Sequence, residues 1–264
     1  MTDETSYAPR LQLALDAARE AGRITLQYFR RDDLEVERKS DDSPVTAADR
    51  AAEAHLRRRI AAAFPEDGIL GEEFPERQGT SGFRWILDPI DGTKSFIHGV
   101  PLYSTLVGVE CHDQSILGVI VIPALDECVY ATLGQGAWYV TGQEAPRPAR
   151  VSPCQRLAEG LFLTSEVGNF DAVGRRDAYD RLQAAVRLSR TWGDRYGYLM
   201  VATGRAELMV DPLMNLWDAA AILPVLQEAG GVFTDWEGRP TIRSGNGIAT
   251  NRHLLEEVLA ITRS

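Results

Sequence analysis

Asp88 and Asp91 stand three residues apart where the apolar run Trp85-Ile86-Leu87 ends, and a Gly92-Thr93 pair follows them directly. Carboxylates delivered by a buried strand are costly unless a cation meets them. A turn accounts for either aspartate singly, because Asp-Gly and Asp-Pro are ordinary turn pairs and Asp caps helices well. It does not explain why the pattern recurs. Glu72 and Glu73 follow Ile69-Leu70 and a glycine, and Asp218 follows Leu216-Trp217 at the head of an apolar helix. Oxygen-rich sets of this kind suit Mg²⁺ or Mn²⁺. Zinc is disfavoured, since His55, His98, His112 and His253 show no paired spacing. With three or more carboxylates more than one divalent ion could be held, as in phosphate-ester hydrolysis. A helix opening at Gly92 would aim backbone N–H groups at an anion, and Thr93 would add a hydroxyl to orient water. Together these residues make a physical case for phosphatase chemistry.

The elements that must position them follow from periodicity and breakers. Helical spacing predicts a helix over Pro9 to Arg30. A loop is expected at Asp41 to Pro44, then a helix over Val45 to Phe64, entered through Thr46 and stopped before Pro65. Strands are expected near Gly68-Leu70 and Phe83-Leu87, and a β-rich stretch from Leu102 to Val140. The polar, proline-broken Thr141 to Pro148 is the expected division between an N-terminal lobe (about 1–145) and a C-terminal lobe (about 146–264). Beyond it, strands at Leu161-Thr164, Ala206-Val210 and Ile248-Thr250 alternate with helices over Asp171-Leu188, Arg195-Thr203 and Leu216-Ala229 and a last helix through Leu259. The expected class is α+β, helices layered on sheets.

At 264 residues and 44% apolar composition the chain can bury a sizeable core. Thirty-eight acidic against 28 basic residues give a net charge of -10, and no Lys/Arg-rich run stands out. Nucleic acid and anionic membranes are poor partners for such a surface. The longest apolar strings are too short to span a bilayer, and MTDETSYAPR lacks the basic-then-apolar order of a signal peptide. Cys111, Cys128 and Cys154 are widely spaced and odd in number, which favours free thiols in a reducing cytoplasm.

Four motifs carry a resemblance to a known family. GEEF (Gly71 to Phe74), DPIDGT (Asp88 to Thr93) and LWDAAAILPVLQEAGG (Leu216 to Gly231) resemble the three signatures of the inositol monophosphatase superfamily, in order and at familiar separations. VTAAD (Val45 to Asp49) is similar to its N-terminal helix motif. The resemblance implies a single catalytic domain over 1–264 with a layered α-β-α-β-α sandwich, as in fructose-1,6-bisphosphatase. It implies two or three Mg²⁺ ions, with Mn²⁺ a substitute. Glu72, Asp88, Asp91 and the Ile90 carbonyl would form the first metal region. Asp88, Asp91 and Asp218 would hold a second ion, with Glu72 assisting at a third. Thr93, hydrogen-bonded to Asp49, would activate the attacking water, and the Gly92 and Thr93 amides would receive phosphate. Glu73 is left without an assigned role, and a homodimer is the family's prior.

The substrate is read from text between the motifs. DPIDGTKSFIHGVPLYSTLVG and TWGDRYGYLMVATGRAELMVDPLMNLWDAA resemble the histidinol-phosphatase branch. Histidinol phosphate carries an ammonium and an imidazole beside its phosphate. Asp194 and Asp211 are therefore expected to pair with the ammonium through charge-assisted hydrogen bonds, Asp211 foremost. Asn215 could read a ring nitrogen. Tyr103, Tyr196 and Trp192 could pack an imidazole, although core packing is the favoured reading of each one taken singly. The alternatives are an inositol or sugar monophosphatase and a non-catalytic phosphate-ester-binding protein on the same scaffold.

Overall fold

The computed structural model describes residues 7–38 and 44–263. Residues 41–43 of the expected loop lie outside the described residues, and Pro44 opens a strand. The chain starts with α1 (Tyr7–Leu26), β1 (Val36–Arg38), β2 (Pro44–Thr46) and α2 (Ala47–Ala63). A seven-stranded sheet follows, ordered as β3 (Gly68–Gly71), β4 (Phe83–Asp91), β5 (Ser104–Cys111), β6 (Gln114–Ile122), β7 (Glu127–Thr132), β8 (Ala137–Thr141) and β9 (Arg147–Pro148). The short α3 (Thr93–Ile97) leaves the end of β4. Pairing of β9 with Trp138 and Tyr139 carries the first sheet past the division expected near residue 145.

The second sheet has five strands: β10 (Leu161–Leu163), β11 (Leu188–Arg190), β12 (Leu208–Asp211), β13 (Gly231–Thr234) and β14 (Gly247–Asn251). Their spatial order is β11-β10-β12-β14-β13. The intervening helices are α4 (Gly168–Ala172), α5 (Arg176–Ala185), α6 (Arg195–Ala202), α7 (Leu216–Ala219), α8 (Ile222–Glu228) and α9 (Leu255–Arg263).

Strand alternation explains the layering. In β4, Ile86 faces one core while Trp85 and Leu87 face another; in β6, Ile120 and Ile122 oppose Leu117, Val119 and Val121. A strand buried on both faces reads as a continuous apolar run rather than an alternating one. The outer core packs this sheet on Ala14, Ala17, Ala18 and Ala21 of α1 and on Leu56 and Ile60 of α2. The central core places α6, α7 and α8 between the two sheets. A third core packs Phe162, Leu208, Val210 and Ile248 on α5 and α9. The layers are α-β-α-β-α, as the resemblance implied.

Two expected helices are broken, each for a local reason. The one expected over Asp171-Leu188 is interrupted by Gly174, whose φ of 68° is left-handed, and its last residue joins β11. The one expected over Leu216-Ala229 splits into α7 and α8. Pro224 has no N–H to return to Ala220, which weakens the helix at that joint. The capping of α2 follows expectation, with the Asp49 carboxylate accepting from the Thr46 N–H at 2.8 Å.

Asp67, in the turn between α2 and β3, ties α1 to the strand that carries Asp88. Its carboxylate accepts from Arg10 Nε at 2.9 Å, Arg10 Nη2 at 2.8 Å, Ser81 Oγ at 2.6 Å and Trp85 Nε1 at 2.9 Å. Burial by itself would raise this carboxyl, but the bonds from Arg10, Ser81 and Trp85 hold it below its ordinary value of 3.8. The stabilisation is present above pH 3.8 and is lost as pH falls through the depressed value. Asp67→Asn should cost about 2 kcal/mol at pH 7, the scale of hydrogen bonds to a charged group. Urea unfolding at pH 7 and at pH values below 3.8 checks this, with the gap from wild type expected to narrow only in the acid range.

Candidate active site

In a regular strand, residues three apart face opposite sides, so Asp88 and Asp91 would diverge. They do not. The β4–β5 ladder pairs Asp88 with Leu106, breaks, and resumes with Asp91 opposite Ser104. Pro89 sits in the break, where it has no N–H to donate, and its carbonyl accepts from Thr105 Oγ1 at 2.9 Å. The irregularity turns both carboxylates towards one side.

The third carboxylate comes from α7, more than a hundred residues along the chain. A Cβ on Gly118 would lie 2.1 Å from the Ala221 carbonyl oxygen, and one on Gly108 would lie 2.7 Å from Ala220. Bare glycine surfaces on β5 and β6 therefore let the α7–α8 segment settle directly on the sheet. Asp218 reaches Asp88 and Asp91 as a result: all three offer oxygens within 4.8 Å of one another, and all three are buried.

The electrostatics of this trio are those of a cation site. Asp88 Oδ1 is buried without a hydrogen-bond partner. Burial, and then the negative charge of Glu72, Asp91 and Asp218, pushes the Asp88 carboxyl well above the usual range. Burial also raises Asp91, against the pull of the Arg195 guanidinium. An orphaned carboxylate oxygen in a cluster of carboxylates fits Mg²⁺ or Mn²⁺.

Arg195, which sequence reasoning passed over, enters this cluster as its cation. Nη2 lies 2.9 Å from Asp218 Oδ2 and Nη1 lies 3.4 Å from Asp91 Oδ1. Its backbone N–H donates to Asp91 Oδ2 at 3.0 Å. The signal was present: Arg195 is the one charged residue in the otherwise apolar helix RYGYLMVA.

Glu72, at the end of β3, lines the same cleft as Asp91, Gly92 and Thr93. It is held there by Glu53, also missed from sequence, whose buried carboxylate accepts the Glu73 N–H at 2.7 Å and pairs with Arg57 at 2.7 Å. Glu73 is fixed by that backbone bond one residue beyond Glu72. Gly92 caps α3 with φ 81°, and a Cβ there would fall 2.7 Å from Asp194 Oδ2. Only glycine satisfies both conditions.

The hydrogen bond expected between Thr93 and Asp49 is not formed. Thr93 Oγ1 donates to the Ile90 carbonyl at 3.1 Å, and the Asp49 carboxylate accepts from the backbone and hydroxyl of Thr46 instead. Helix capping claims Asp49 because its position in the first turn of α2 places it on Thr46. Burial lifts its carboxyl to about 6.

The three residues assigned to the substrate's far end separate clearly. Asp194 lines the cleft, which measures about 220 Å³, together with Lys94, Ser165, Glu166 and Asn169. Burial first, and Asp91 next, lifts the Asp194 carboxyl to about 7. Asp211 lies behind the cleft, fully buried. Oδ1 accepts from Ser165 N at 2.9 Å, Ser165 Oγ at 2.7 Å and Thr164 Oγ1 at 3.2 Å, and Oδ2 accepts from Tyr198 at 3.0 Å. With its oxygens so engaged, Asp211 holds Ser165 in place and does not face an ammonium. Asn215 heads α7, and its N–H donates to Asp218 Oδ2 at 2.6 Å. Tyr103 packs in the core against Phe96 and Phe29, while Tyr196 and Trp192 stand outside the cleft lining.

Comparison with known proteins agrees with this geometry. The model of the inositol monophosphatase family matches residues 6–264. A histidinol-phosphatase of Chlorobaculum parvum is 46% identical over 243 residues, covering 92% of each chain. Another, from Streptomyces coelicolor, is 37% identical over 257 residues, covering 96% of each. Among solved structures, the extragenic suppressor protein suhB of Bartonella henselae superimposes with a TM-score of 0.90 at 30% identity, covering 97% of this chain and 99% of the other. No helix among the described residues is long and apolar enough to cross a membrane. With one family model spanning nearly the whole sequence and its signature carboxylates gathered in one buried cluster, this chain belongs to the inositol monophosphatase family and is a phosphatase.

Proposed function

We propose that the chain is a Mg²⁺-dependent histidinol-phosphatase, converting histidinol phosphate and water to histidinol and phosphate in histidine biosynthesis. The observation that carries this reading is the buried Asp88–Asp91–Asp218 cluster opening on a cleft that also holds Asp194. The 46% identity to a histidinol-phosphatase favours that ester over an inositol or sugar phosphate. Glu72, Asp88, Asp91, Asp218 and the Ile90 carbonyl would hold the metal, two or three ions with Mn²⁺ as a substitute. When bound, the metal offsets phosphate charge and lowers the pKa of a water nucleophile.

The chain's own residues do the rest. The Gly92 and Thr93 N–H groups take phosphate oxygens, and the Thr93 hydroxyl orients the attacking water. Asp194 pairs with the substrate ammonium; an approaching cation favours its ionised form. Asp211 acts indirectly, through the Ser165 that it positions. In this reading the enzyme works in the cytoplasm as a homodimer, with no nucleic-acid or membrane partner.

A substrate panel tests the assignment. With Mg²⁺ present, kcat/KM is expected to be highest for histidinol phosphate among histidinol phosphate, inositol 1-phosphate and fructose 1,6-bisphosphate. A wide margin in favour of inositol 1-phosphate would overturn it. Purified protein that releases phosphate from none of them, with Mg²⁺ or Mn²⁺, would point to the binding-protein alternative.

A further inference from the structure

The carboxylate cluster is not uniformly short of positive charge. Arg195 lies with its side chain 6% exposed, and its guanidinium meets two of the three aspartates, Asp218 at 2.9 Å and Asp91 at 3.4 Å. Nε also points at the Asp218 carbonyl, 3.4 Å away. Asp88 receives none of these bonds and keeps an unpartnered Oδ1. The neutralised side of the cluster therefore faces α6 and α7, and the unmet charge lies at Asp88.

An ordinary structural ion pair would need a single carboxylate. Here one guanidinium forks between β4 and α7, the two elements whose carboxylates define the cluster, and its own main-chain N–H takes a further Asp91 oxygen. A cation placed there competes for the oxygens that a divalent ion shared by Asp91 and Asp218 would use. Arginine stays protonated at any working pH, so this competitor is permanent.

We propose that Arg195 is a positioning residue that serves as a built-in counter-ion: it partly neutralises Asp91 and Asp218, directs the tightest divalent ion to the Asp88 side, and weakens any ion held between Asp91 and Asp218. This rests on the metal reading of the site above, but not on which ester is hydrolysed. One consequence is that the apo protein stays folded with its carboxylates crowded together. Another is that the weaker ion exchanges readily.

The test is metal binding without substrate. Arg195→Met, stripped of metal, is titrated with Mg²⁺ and Mn²⁺ by calorimetry beside wild type and Arg195→Lys. The expected result is tighter metal binding by Arg195→Met, by about tenfold or more at the weaker site, from removing one close like charge. Arg195→Lys should stay near wild type. The metal-free melting temperature of Arg195→Met should drop and be restored by Mg²⁺. Unchanged or weaker metal binding by Arg195→Met would overturn the proposal. So would unchanged metal binding with weakened binding of inorganic phosphate, which would make Arg195 a phosphate ligand. If Arg195→Met folds only with Mg²⁺ present, a metal has replaced the guanidinium and the proposal stands; if it folds in neither condition, Arg195→Gln is titrated with the same expected and overturning results. Wild type that takes up no Mg²⁺ or Mn²⁺ defeats the metal reading itself, and this inference with it.

Discussion

Asp88→Asn is expected to lower kcat for phosphate release by about 10³-fold, a typical loss when preorganised charge at a reacting phosphoryl group is removed. The same substitution should leave the metal-free protein at least as stable as wild type. Both expectations follow from one fact, that Asp88 is buried beside Glu72, Asp91 and Asp218 with Oδ1 unpartnered. Its ionised form is paid for by a metal or not at all. An acid raised above its ordinary 3.8 stabilises the folded state below that pH, and the contribution is lost as pH rises through the folded value. Metal-free wild type should therefore melt lower at pH 8 than at pH 5, and Asp88→Asn should show a flatter dependence. Added Mg²⁺ should raise the wild-type melting temperature and barely move the variant. An active variant, or one that gains the full metal-induced shift, would remove Asp88 from the metal set.

The second large effect concerns choice of ester. Asp194→Asn is expected to reduce kcat/KM for histidinol phosphate by about 30- to 150-fold, from loss of one charge-assisted hydrogen bond of about 2–3 kcal/mol. Inositol 1-phosphate turnover, which asks nothing of a carboxylate there, should change by less than about threefold. Asp211→Asn provides the contrast. Because Asp211 faces Ser165, Thr164 and Tyr198 rather than the cleft, its loss should slow both esters alike. Equal losses from Asp194→Asn, measured on the two esters side by side, would remove the ammonium argument. A selective loss from Asp211→Asn would restore the residue to the role its sequence position suggested.

Much of the fold was legible because its cause is local. The α2 cap at Thr46, the stop at Pro65 and the apolar runs of β4 to β6 are each set by neighbours in sequence. Elements that depend on distant partners were harder to read. β11 is a three-residue strand whose only claim to be one is the parallel pairing of Leu188 with Leu161 and Ser189 with Phe162. β13, which begins at Gly231, the second of the two glycines that follow α8, is defined by β14 in the same way. The breaks at Gly174 and before Pro224 could have been found from residue type alone, had breakers been weighed above apolar periodicity.

The candidate site divides along the same line. Sequence by itself determined that Glu72, Asp88, Asp91 and Asp218 are carboxylates delivered by apolar segments, and that Gly92 and Thr93 open a helix beside them. Residue type and spacing suffice for that, because hard cations select oxygen donors whatever holds them. Only the tertiary structure decided which face each carboxylate takes and what meets it there. The ladder break at Pro89 turns Asp88 to the side of Asp91, and the glycines under α7 bring in Asp218. Asp49 goes to Thr46 rather than Thr93, and Asp211 is spent on Ser165. Arg195 reaches Asp91 from 104 positions away. The physical reason is that a buried carboxylate's chemistry is set by the charges and donors within a few ångströms, and in a two-sheet sandwich those neighbours come from segments far apart in the chain.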